Sequence, residues 1–68
     1  MIEKIYIKNI NIEERDFIKK ILAMHPIPYI VNKDTVTIFK APKGLYEDLV
    51  EFKKDLEKEG KTIIIYTE

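Results

Sequence analysis

Residues 2–9 alternate, with Ile5 and Ile7 on one side and Lys4, Tyr6 and Lys8 on the other, the period-two pattern of a strand with one buried face. At Asn11 the period changes. Asn11 followed three residues later by Glu14 is a capping-box signal, and Glu13 and Asp16 add negative charge where a helix dipole favours it. Phe17, Ile18, Ile21 and Leu22 then recur at helical spacing. Arg15, Asp16, Lys19, Lys20 and Ala23 fall on the opposite side, Asp16 and Lys20 form an i,i+4 pair, and Pro26 stops the helix near Met24 or His25. His25, Pro26, Ile27 and Pro28 make a stiff connector. Residues 29–32 and 35–41 are β-rich runs separated by Lys33 and Asp34, which predicts a hairpin. Its turn has no Gly, and the tolerance of Asn32 and Asp34 for positive φ leaves loop length and register open. Pro42, Lys43 and Gly44 break the strand. Leu45, Leu49, Phe52 and Leu56, with Val50 beside them, trace a second helix that Gly60 closes, and residues 61–67 are the last strand.

The order β-α-β-β-α-β, with no repeat, low-complexity tract or linker, predicts one α+β domain over residues 1–68. It is the split β-α-β, or ferredoxin-like, sandwich. Right-handed crossovers place the first and third strands of a four-stranded antiparallel sheet in the centre and the second and fourth at the edges. Both helices then cover one sheet face, and the other stays open. Alternation sends Lys4, Tyr6 and Lys8 to that open face, together with Thr35, Thr37 and Phe39. In the last strand, either Ile63 and Ile65 or Ile64 and Tyr66 face outward; if the first pair packs on the helices, Ile64 and Tyr66 join the exposed set. Such a patch suits stacking of planar groups or dimerisation through the sheet.

Composition narrows the chemistry. The chain has 68 residues, 12 Lys+Arg against 12 Asp+Glu, no Cys, Ser, Gln or Trp, and a single Arg and His. Ser and Cys nucleophiles, disulfides, Cys–His zinc sites and His-rich metal centres are therefore excluded. No enzymatic activity, metal or cofactor is expected. No apolar stretch is longer than that of residues 63–66, far below the roughly 18 residues of a membrane span, and no secretory h-region is visible, so a cytoplasmic, membrane-free domain is expected. Abundant Ile, Lys and Glu with few heat-labile residues fit a thermostable protein or an AT-rich genome. Outside the expected helices, Lys4, Lys8, Lys33, Lys40, Lys43 and Lys61 face only Glu3, Asp34 and Glu68, which gives a mildly positive sheet side and an acidic helical side. Strand-edge protection and helix solubility account for the same distribution. His25 reads as a helix-end cap, and Lys40, Lys43 and Gly44 read as loop punctuation lacking the phosphate-loop pattern.

Ile5, Tyr6, Ile7, Lys8, Asn9 and Ile10 resemble the first-strand ribonucleoprotein motif of RNA-recognition-motif domains, and the element order agrees. The resemblance implies that Tyr6 stacks on a base from the open face, with Lys8 near a phosphate. With Lys33 at the opening position of the family's third-strand motif, Asp34 stands where that family has Gly. Thr35 and Thr37 stand where it has aromatics, and Phe39 comes two residues later. The expected activity is a non-catalytic binding module for single-stranded RNA or DNA, with Lys4, Tyr6, Lys8, Thr37, Phe39 and Tyr66 as contact residues. The alternative is a homodimerising structural or regulatory domain, or a designed scaffold, with no nucleic-acid ligand.

Overall fold

Lys8 is the last residue of the first strand because Asn9 adopts a left-handed backbone (φ 63°), a conformation Asn tolerates better than most residues. The computed structural model describes residues 1–68. Its elements are β1 (Ile2–Lys8), α1 (Ile12–Leu22), β2 (Tyr29–Val31), β3 (Thr35–Ala41), α2 (Lys43–Lys58) and β4 (Ile64–Thr67). The sheet order is β2-β3-β1-β4, with every neighbouring pair antiparallel. The two central strands and the two edges fall where the connection rules placed them.

The capping box forms. The Glu14 N–H donates to Asn11 Oδ1 (2.8 Å), and the Asn11 N–H donates to Glu14 Oε1 (2.9 Å). α1 ends earlier than expected, with Ala23 as its C-cap. Pro26 disfavours helical backbone at His25, so the chain closes through tighter bonds from the Met24 N–H to Ile21 and from the His25 N–H to Leu22. His25 thus lies in the turn beyond the cap, not at the cap position.

The hairpin loop is the two-residue one. Val31 pairs with Val36, Ile30 with Thr37 and Tyr29 with Ile38, and the Asn32 N–H donates to the Thr35 carbonyl at 2.9 Å. Neither Asn32 nor Asp34 takes positive φ. The left-handed non-glycine residues are Asn9 and Lys40 (φ 53°). Strict alternation in β3 would carry Lys40 toward the helices. Its left-handed turn keeps the ammonium exposed and turns Ala41 into the core, opposite Ile2, while Glu3 and Lys40 drop out of the paired register.

α2 begins one residue after β3, at Lys43, with Pro42 as N-cap and no side-chain cap. Lys43 and Gly44 therefore belong to the helix, and the loop expected around Lys40, Lys43 and Gly44 does not exist. At the other end, Gly60 (φ 80°) donates to the Glu57 carbonyl and Lys61 to the Leu56 carbonyl, the paired bonds of a Schellman motif. The same bond shortens β4 relative to the expected residues 61–67. Lys61 is committed to the helix cap, the Thr62 carbonyl accepts from Asn9 Nδ2 (3.0 Å), and β1 has already ended, so Ile64 is the first residue with a strand to pair with.

Ile5, Ile7, Val36, Ile38 and Ile63 from the sheet side meet Ile18, Leu22, Leu45, Leu49 and Leu56 from the helices in a single buried cluster. Both helices therefore cover the same sheet face. Phe17 does not join the core. It remains 47% exposed, and its ring stacks on Phe52 between the helices at 4.7 Å.

Candidate functional site on the open sheet face

Because Ile63 packs in the core and Ile65 packs against it, the last strand turns Ile64 and Tyr66 outward. Register then aligns one side chain from each strand in a continuous row, Ile30–Thr37–Tyr6–Tyr66. Ile30, 52% exposed, is a face residue the sequence pattern could not reveal. Tyr29, Ile30 and Val31 are all apolar, so alternation gives no hint of which one looks out. Phe39 lies opposite Lys4, and Thr35 lies opposite Lys8, which in turn pairs with Ile64. All six expected contact residues, Lys4, Tyr6, Lys8, Thr37, Phe39 and Tyr66, share this face.

Its geometry differs from a flat stacking platform. Tyr6 and Tyr66 are directly opposed on neighbouring strands, and their ring centroids are 4.8 Å apart with planes 21° from parallel. That separation equals the ~4.8 Å strand spacing, so the rings stand upright, face to face, with their edges toward solvent. One face of Tyr6 is covered by Tyr66. The other looks along the row toward Thr37, and an open slot of about 310 Å³ on this face is lined by Tyr6, Lys8, Thr35, Thr37 and Tyr66.

Two ammonium groups border the rings. Lys8 Nζ lies 5.4 Å from the centroid of Tyr66, and Lys4 Nζ lies 6.0 Å from that of Phe39. The pKa of Lys8 is raised above the ordinary lysine value, first by the Tyr66 hydroxyl as hydrogen-bond acceptor and then by its electrostatic effect, with smaller help from Tyr6 and Asp34. Two carboxylate residues lie near these lysines, Asp34, which acts on Lys8, and Glu68, whose N–H donates to the Lys4 carbonyl at 3.1 Å.

The wider cleft of the molecule lies elsewhere, about 660 Å³ at the β1–α1 connection, where Arg15, Lys33 and Lys61 are interleaved with Glu13 and Asp34. Arg15 is tied there by a bond from Nη1 to the Lys33 carbonyl (3.3 Å). No group of three or more His, Asp or Glu side chains gathers as a metal site, and no helix is long and apolar enough to cross a membrane. No family model, curated protein or solved structure matches the chain.

Proposed function

We propose that the open sheet face is a non-catalytic binding surface for single-stranded nucleic acid, engaged weakly and with little sequence preference. The carrying observation is the slot beside Tyr6. A free aromatic face, with the Thr37 side chain and the Lys8 ammonium in the same lining, suits a planar base entering edge-first, with its phosphate directed to Lys8. Lys4 beside Phe39 offers a second phosphate contact. With Tyr6 in the first-strand motif, this agrees with the resemblance to RNA-recognition-motif domains, although the base would insert between side chains instead of lying flat on a ring. The strand order read from the other edge, β4-β1-β3-β2, supports taking the sandwich as ferredoxin-like.

A second reading rests on the exposed apolar members of the same row, Ile30 at 52% and Tyr66 at 40%, with Ile64 beside them at 47%. A sheet-to-sheet homodimer would cover them. One titration separates the two readings. Isotopically labelled protein, its solution mass first measured against the 8.1 kDa monomer, is titrated with mixed-sequence single-stranded RNA at low and moderate salt. Nucleic-acid binding predicts shifts centred on Tyr6, Lys8, Thr37 and Tyr66. Two lysine contacts limit the slope of log K against log salt to about −1.4, and Tyr6→Ala weakens binding by about 1–3 kcal/mol while the mass stays monomeric. A dimer mass that Tyr6→Ala reduces to monomer, with a spectrum indifferent to RNA, would overturn the proposal in favour of the homodimer.

A further inference from the structure

On the opposite side of the molecule, α1 and α2 leave a groove of about 270 Å³ between them, unrelated to the sheet face. Phe17 and Ile21 lie one helical turn apart on α1, and Met24, in the turn just beyond its C-cap, extends the apolar side of the groove. Phe17 is 47% and Met24 76% exposed, and across the groove the Phe52 ring stacks on Phe17 at 4.7 Å. Lys, Gln or Glu would favour a helix more than Phe at the exposed position 17, so helix propensity does not account for Phe17.

The other wall is acidic. Asp48, Glu51 and Asp55 recur at i, i+3 and i+7 on α2, and every ionisable residue lining the groove is a carboxylate. Their negative charge is largely uncompensated. The two ion pairs of the protein are Lys53–Glu57, which lies outside the groove, and Lys58–Asp55 at 3.9 Å between well-exposed side chains. Lys20, on the outer border of α1, is within 4.0 Å of none of the three carboxylates.

We propose that this groove docks a cationic amphipathic helix of a partner protein. Charge complementarity selects that occupant. An apolar stripe at i, i+3/i+4 and i+7 would pack along Phe17, Ile21, Met24 and Phe52, while Lys or Arg on its flank would meet Asp48, Glu51 and Asp55. A second copy of this chain fits less well, because its own helical surface carries the same acidic stripe and would oppose like charge to like.

The test titrates the labelled 68-residue chain with a synthetic Leu/Lys peptide patterned as an amphipathic helix. A scrambled peptide of the same composition and a Leu/Glu peptide of the same pattern serve as comparisons. The expected result is saturable shifts at Phe17, Ile21, Met24, Glu51 and Phe52 with the patterned Leu/Lys peptide, and binding at least about tenfold weaker for the other two, the scrambled peptide through loss of a continuous apolar stripe and the Leu/Glu peptide through like-charge repulsion along the acidic wall. The triple variant Asp48→Lys, Glu51→Lys, Asp55→Lys alters only exposed positions and should exchange this preference for the Leu/Glu peptide. Glu51→Lys alone serves should the triple variant lose spectral dispersion, and it should weaken Leu/Lys binding. An absent response, equal responses to both charged peptides, or a dimer whose broadened signals map to the groove would each overturn the proposal.

Discussion

Upright stacking of Tyr6 on Tyr66 makes an energetic prediction that can be measured in the free protein. The perturbation is a double-mutant cycle of Tyr6→Ala, Tyr66→Ala and both together. A stacked pair at 4.8 Å lies within the favourable centroid range, and such pairs contribute about 0.5–1.5 kcal/mol beyond the area they cover. Tyr66 is 40% exposed on an edge strand, so water competes for its outer face and the lower half of that range applies, about 0.5–1 kcal/mol. Each single substitution also removes a partly covered ring and should cost about 1–2 kcal/mol, equivalent to a fall in Tm of roughly 4–16 °C for a domain of this size. Urea unfolding followed by circular dichroism gives the four stabilities, with an unchanged m-value required for the cycle to close. A coupling energy below about 0.3 kcal/mol, the level at which independent sites add, would refute the stacked geometry. It would also remove the argument that one face of Tyr6 is already occupied and that a ligand must enter from the Thr37 side.

Two further outcomes follow from the same structure. Gly60→Ala should destabilise by about 1–2 kcal/mol in thermal or chemical unfolding; a Cβ there meets nothing within 4 Å, so the cost is that of the φ of 80° alone, and Gly60→Asn should recover part of it. Lys8 has a folded-state pKa above its unfolded one, so the stabilisation it carries is fully present below the ordinary value of 10.5 and is lost as pH rises through the folded-state pKa. Tyr66→Phe removes the hydroxyl that raises it, so side-chain NMR titration of Lys8 should move back toward the ordinary lysine value, and an unmoved titration would refute the assignment of cause.

Most of the architecture was legible because its signals are local. The Asn11–Glu14 capping box involves atoms three residues apart, the Gly60 terminus needs only a residue that accepts positive φ, and the alternation of Ile5 and Ile7 against Tyr6 and Lys8 needs only the strand period. The candidate contact residues were reachable for the same reason. Once Ile5, Ile7, Val36 and Ile38 face the helices, Lys4, Tyr6, Lys8 and Thr37 have one side left to occupy.

What escaped the sequence depends on partners distant along the chain. Helical spacing put Phe17 among the core residues, but the wheel position that carries it faces the groove between α1 and α2, and only the placement of α2 brings Phe52 beneath it. Residues 61–63 have strand character, yet the helix cap claims Lys61 and the side chain of Asn9, 53 residues from Thr62, claims the Thr62 carbonyl. Ile30 gave no alternation to read. The sequence by itself determined which segments are helix or strand and which face of each central strand is apolar, because propensity, capping and periodicity act within a few residues. Only the tertiary structure decided that Tyr66 would lie against Tyr6, that a slot lined by Thr37 would open beside it, and that apolar residues on α1 would face an acidic stripe on α2. Each of those is a register or a packing distance between segments, set when the whole core closes and by no single stretch of chain.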